Sequence, residues 1–139
     1  MFELDPAFVR TSLAIGDLPL CAVRLQADAR WPWVVLVPRV DAAREIEDLA
    51  EAGRIALMGE IVRAGAAVRA VGAALGWPVA KLNVGLLGNV TPQLHAHVVG
   101  RRPGDPAWPG PVWGVGEAQP YAPPQLQAAL AAARAALGP

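Results

Sequence analysis

Cysteine occurs once in the 139 residues, as Cys21, and histidine only twice. A single thiol excludes an internal disulfide and gives no zinc spacing. Inside an apolar run it reads as a small buried hydrophobe rather than a reactive nucleophile. Net charge is also missing, because twelve basic and twelve acidic side chains cancel. No global field therefore draws nucleic acid or a membrane surface, and an anionic ligand must be held by local groups. No apolar stretch reaches the ~18 residues of a membrane span, and Met1-Phe2-Glu3-Leu4-Asp5 carries acids where a secretory signal has a basic start. The expectation is a cytoplasmic, soluble chain. Repeats, charge blocks and a second domain boundary are absent, and the length suits one domain spanning 1–139.

What is present is a clear order of elements. Gly16-Asp17-Leu18-Pro19 reads as a turn closing a mixed segment from Phe2, with Phe8, Leu13 and Ile15 as apolar anchors. Leu20 to Leu25 and Trp33 to Val37 read as the strands of a hairpin, joined by a turn that contains Asp28. Asp41 is a candidate N-cap for a helix over Arg44 to Leu75, with apolar residues at 46, 49, 55, 57, 58, 61, 62, 68 and 71. Gly53 is placed to break that helix, and Gly76-Trp77-Pro78 to end it. Strands over Lys81 to Leu86 and Gln93 to Gly100 follow, joined by a loop from Leu87 to Pro92. An alanine- and leucine-rich helix over Pro124 to Leu137 closes the chain. Arg101 to Pro123, rich in Gly and Pro, holds Trp108 and Trp113. A loop that long in a compact domain is usually functional or disordered, and the two tryptophans argue for function.

Both histidines stand in Gln93-Leu94-His95-Ala96-His97-Val98-Val99. Alternation along a strand puts Gln93, His95 and His97 on one face and leaves Leu94, Ala96 and Val98 to a core. Ordinary half-exposed strand histidines are the plainest reading. A metal site needs a third ligand, yet no third histidine exists and the neighbours are the cations Arg101 and Arg102. The remaining reading is nucleophilic attack at phosphorus. A neutral imidazole suits cytoplasmic pH when its other nitrogen is held as a donor, with loop amides and asparagines around the anionic oxygens. Gly88-Asn89-Val90-Thr91 precedes the strand, and Asn83 lies on the strand before it.

At these residues the chain resembles the histidine-triad (HIT) family of nucleotidyl hydrolases and transferases, whose motif is His-φ-His-φ-His-φ-φ with φ apolar. Gln93 stands at the first histidine of that motif. Val34-Val35-Leu36-Val37-Pro38-Arg39, Lys81-Leu82-Asn83-Val84-Gly85, Gly88-Asn89 and Ala107-Trp108-Pro109-Gly110 match in order and spacing, over about residues 15–115, with a helical tail over about 123–138. The resemblance implies an α+β fold, HIT-like, with about five antiparallel strands, one long helix and a C-terminal helix. It implies a nucleotide substrate, such as a dinucleoside polyphosphate (the diadenosine polyphosphate hydrolase activity) or a nucleoside phosphoramidate. No cofactor or metal is required, and a homodimer joined edge to edge is implied. His95 becomes the nucleophile, oriented through the main chain of His97, whose ring sits near phosphate oxygens or the leaving group. Gln93 completes the catalytic set but cannot be protonated. Asn83, Asn89, Thr91, Asp28 and Trp108 become substrate contacts. A nucleotide-binding or sensing protein with little or no turnover is the alternative.

Overall fold

In a computed structural model, residues 1–138 are described. A short helix α1 (Pro6–Thr11) leads into strands β1 (Ser12–Asp17), β2 (Cys21–Gln26) and β3 (Trp33–Pro38). The long helix α2 (Glu51–Ala74) follows, then β4 (Lys81–Gly85), β5 (Ala96–Arg101) and the terminal helix α3 (Pro123–Leu137). The five strands form one antiparallel sheet in the order β1-β2-β3-β5-β4, which leaves β1 and β4 at its edges. The α+β architecture is the expected one. Among the described residues, no helix is long and apolar enough to cross a membrane.

Strand alternation divides the sheet into two faces. Val23, Leu25, Val34, Leu36, Ala96 and Val98 point toward α2 and α3 and form the main core. Ala64, Ala67, Val68 and Val71 of α2 are fully buried against them. These small side chains bring the helix axis close to the sheet, and Gly100 lets β5 meet it. A Cβ at Gly100 would stand 2.7–2.9 Å from Val79, Pro32 and Val68. The opposite face carries Trp33, Val35, Val37 and Val99, covered by Phe8 from α1 and by Trp31 and Val112. The Arg101–Pro123 segment is therefore a cover for that second face.

Several sequence expectations need correction. The mixed segment from Phe2 hides both α1, capped by the Asp5 carboxylate on the Ala7 amide at 2.9 Å, and the first strand of the sheet. Asp41 caps no helix and instead meets the terminal amine at 3.3 Å. Asp48 accepts the amides of Arg44 and Glu45 at 2.9 Å and folds 46–48 into a 3₁₀ turn, so α2 begins only at Glu51 and Gly53 lies inside it. On α2 itself, Ile55, Met58 and Val62 face outward, while Glu60 turns inward to accept the amides of Leu20 and Cys21 at 2.8 Å. Finally, Gln93 and His95 precede β5 rather than lying on it, because the Leu94 amide leaves the sheet to donate to the Ala43 carbonyl at 2.9 Å.

Replacing Gly100 by valine should cost about 1–3 kcal/mol, since the added methyls must displace either α2 or the 77–79 turn. Chemical denaturation reads this as a lowered midpoint. An unchanged midpoint would mean that the close approach of α2 to β5 is not a constraint.

Candidate functional site

The two imidazoles meet edge to face, with ring centroids 4.8 Å apart, but the protein treats them differently. His95 Nδ1 lies 2.6 Å from the Gln93 carbonyl oxygen. An oxygen with no hydrogen can only accept, so in the neutral ring Nδ1 carries the proton and Nε2 keeps its lone pair. The orienting carbonyl thus comes from Gln93, not from the main chain of His97 as expected. At His97 the arrangement is reversed. The Trp33 indole N–H donates to its Nδ1 at 3.0 Å, which leaves Nε2 as the protonated nitrogen of the neutral ring. Burial, reinforced by the neighbouring His95, pushes the His97 pKa down to about 4. The site therefore pairs one imidazole with a free base nitrogen and one fixed as a neutral donor.

Both rings line a cleft of about 370 Å³ between α1 and the 87–91 loop. Ala7, Phe8 and Thr11 form one wall, Gln26 and Val35 the floor, and Leu87 to Thr91 the other wall. Phe8 sets its ring edge-on to His95 at 4.8 Å. Trp113 closes the end beside His97 at 5.5 Å. That indole can lie there because residue 85 is glycine: a Cβ would stand 2.8 Å from the Trp113 ring, on the strand residue paired with His97. Among the described residues, no acidic side chain, lysine or arginine lines this cleft. The amides of residues 88–91 have no protein acceptor among the described residues, which leaves them, with the Asn89 and Thr91 side chains, as donors for an anion.

Of the residues singled out in the sequence, the cleft brings together His95, His97, Asn89 and Thr91. Gln93 is adjacent through its carbonyl, but its side chain turns to the N-terminal segment. Asn83, Asp28 and Trp108 lie elsewhere, each engaged by an arginine. The Asn83 amide oxygen accepts from Arg101 at 2.7 Å. Asp28, itself buried, pairs with half-buried Arg30 at 2.8 Å and accepts the Gln119 amide. Trp108 lies 5.6 Å from the Arg101 guanidinium, toward solvent. Arg101 itself is buried in a fork on Asp105 at 2.8 and 3.0 Å. Burial alone would raise the Asp105 pKa, but this fork and the amides of Ala107 and Arg102 hold it well below the usual carboxylate range. The contribution of Trp33 was readable in principle, since Trp33, Val35 and Val37 alternate onto one face. Phe8 showed only as an apolar anchor, and its place beside His95 gave no signal because α1 is too short to show a period.

A model of the HIT domain matches residues 8–104. The chain belongs to the HIT family. Solved HIT structures match it over nearly its whole length. A histidine triad protein from Bradyrhizobium japonicum is 40% identical, covering 99% of this chain and 98% of its own, with a TM-score of 0.89. One from Sinorhizobium meliloti is 39% identical over 99% and 98%, with a TM-score of 0.88. A third, from Marinobacter aquaeolei, is 39% identical over 99% and 96%, with a TM-score of 0.86. No curated protein matches the sequence. Among the described residues of this HIT domain, no group of three or more His, Cys, Asp or Glu side chains is placed to hold a metal ion.

The depressed His97 pKa has a definite sign. The unfolded chain takes up this proton near the ordinary 6.5 and the folded domain only near 4, so stability falls as pH drops through that window and levels off below it. Nitrogen-15 NMR should show His97 as the Nε2–H tautomer with a midpoint near 4. In Trp33→Phe the lost donor frees Nδ1, and the midpoint should move up toward the ordinary value. An unmoved midpoint would assign the depression to burial and the neighbouring His95 without Trp33.

Proposed function

We propose that this HIT domain is a nucleotide-phosphate hydrolase or nucleotidyl transferase acting at the α-phosphate of an adenine nucleotide, such as a dinucleoside polyphosphate or a nucleoside phosphoramidate. The observation that carries this reading is the 2.6 Å contact of His95 Nδ1 with the Gln93 carbonyl, which leaves Nε2 a free base at the cleft. In the first step Nε2 attacks phosphorus, a P–N bond forms, and the bond to the leaving group breaks with its electron pair departing on that group. The phosphorylated ring keeps its Nδ1 proton and becomes cationic, and the Gln93 carbonyl stabilises that charge. Water supplies a proton to the leaving group. A second water then attacks phosphorus and loses a proton, the P–N pair returns to Nε2, and the nucleoside monophosphate is released.

The other groups follow from their places. His97, neutral at working pH, donates a hydrogen bond from Nε2 to a phosphate oxygen without surrendering its proton. Asn89, Thr91 and the amides of 88–91 surround the remaining oxygens. The apolar wall of Phe8, Val35 and Leu87 suits the nucleoside end. Within this proposal Gln93, in the place of the family motif's first histidine, acts through its carbonyl rather than by proton transfer.

The family tendency to dimerise has a counterpart on the surface. Ile55, Met58 and Val62 form an apolar stripe on α2, 67%, 65% and 70% exposed, and Val84 on the edge strand β4 is 47% exposed. We propose that a second copy covers this stripe and pairs with β4, joining the two sheets edge to edge. Light scattering should give a dimer for the wild type and a monomer for Met58→Glu/Val62→Glu. A monomeric wild type at micromolar concentration would overturn the proposal.

Incubation with diadenosine polyphosphates and adenosine phosphoramidates should release AMP, and His95→Ala should reduce release to background while binding persists. Calorimetric binding by the wild type with no nucleotide consumed over hours would instead identify a sensor and remove the enzymatic reading.

A further inference from the structure

The Gln93 side chain is fully engaged, and by an unexpected partner. Its Nε2 donates to the Glu3 carbonyl at 2.8 Å and its Oε1 accepts the Asp5 amide at 2.9 Å. Both contacts span about ninety residues of sequence and tie the extreme N-terminal segment to the histidine turn. Asp5 in turn caps α1 through Ala7, and one residue further on Phe8 presses its ring edge against His95.

The same residue carries the carbonyl that orients the nucleophile. Gln93 C=O and Leu94 N–H belong to one planar peptide unit and point in opposite directions. The N–H is held by Ala43 at 2.9 Å, and the Cα at the other end is held by the side-chain amide on residues 3 and 5. Rotation of that peptide would swing the carbonyl away from Nδ1. Histidine in water prefers its neutral proton on Nε2, so without this acceptor the nucleophilic nitrogen would be mostly blocked.

We propose that Gln93 is a positioning residue: its side chain clamps the segment 3–8 to the histidine turn, and this clamp fixes His95 in the Nδ1–H tautomer while seating the Phe8 wall of the cleft. The inference deepens the proposed function, resting on it only for the consequence to turnover. Gln93 is then a working part of the site, and the N-terminal segment is a structural element of the cleft.

The test needs no substrate. With only two histidines, nitrogen-15 NMR resolves both rings, and His97→Gln assigns them. In the wild type His95 should be predominantly Nδ1–H, and in Gln93→Met, which keeps length but neither donates nor accepts in kind, it should shift toward Nε2–H. A wild-type tautomer retained in Gln93→Met would overturn the proposal. Should that variant not fold, the wild type decides alone: the Asp5 amide, whose acceptor is the Gln93 side chain, should exchange slowly with deuterium, and free exchange would overturn the clamp. Turnover gives a separate arm. Gln93→Met should lower kcat through the tautomer and raise KM through the loosened wall. Gln93→His should be no faster than wild type, and a faster His variant with His95 still in its wild-type tautomer would overturn the clamp. If no variant, wild type included, turns over nucleotide while the tautomer still shifts, the clamp stands and the enzymatic reading falls.

Discussion

The hydrogen bond from His95 Nδ1 to the Gln93 carbonyl is the constraint on which the site depends. A histidine is a nucleophile only through its unprotonated nitrogen, and which nitrogen that is follows from what the other one touches. Everything near the turn converges on this contact. Leu94 departs from the sheet to bond Ala43, β5 starts one residue after His95, and the ring is braced by Phe8 and His97. The complementary contact, Trp33 on His97, gives the second imidazole the opposite polarity. Two identical side chains thereby become an acceptor and a donor, which is what the proposed attack on an anionic phosphorus needs from them.

The sheet makes this possible by serving two purposes at once. One face buries aliphatic residues under α2 and α3, where small residues on the helix and Gly100 on β5 allow close contact. The other face holds the histidines, and aromatic residues cover it where helices would otherwise be needed. Because no acidic side chain, lysine or arginine among the described residues lines the cleft, an anion there must rely on amides and neutral donors, consistent with a chain whose charges balance. The arginines beside the loops are neutralised locally, buried Arg101 by Asp105 and half-buried Arg30 by Asp28, while buried Arg24 donates to the Ser12 hydroxyl and carbonyl.

Much of this was legible in the sequence, and the misses have physical causes. The hairpin of β2 and β3, the long helix, β4 and the C-terminal helix follow from strong periodicity and from Gly-Trp-Pro punctuation. Helix α1 was hidden because six residues make less than two turns, β1 because its alternation breaks at the register shift between Ala14 and Gly16, and the start of α2 was displaced by the Asp48 turn. In the site, His95, His97, Asn89 and Thr91 are sequence neighbours, so a local pattern found them. Asn83, Asp28 and Trp108 sat at plausible places in the motif, but arginines far or near in sequence hold or face them. Such pairing cannot be read from spacing. Neither can the link between Gln93 and residues 3 and 5, which only the closed fold brings together.

The central claim is that His95 Nε2 becomes bonded to phosphorus. Rapid quenching during turnover of an adenine dinucleotide, followed by peptide mass spectrometry under alkaline conditions, tests it most directly. The predicted result is an adenylyl adduct on His95, sensitive to acid and absent in His95→Ala. Turnover with no adduct on His95 at any time point, or an adduct on His97, would contradict the account.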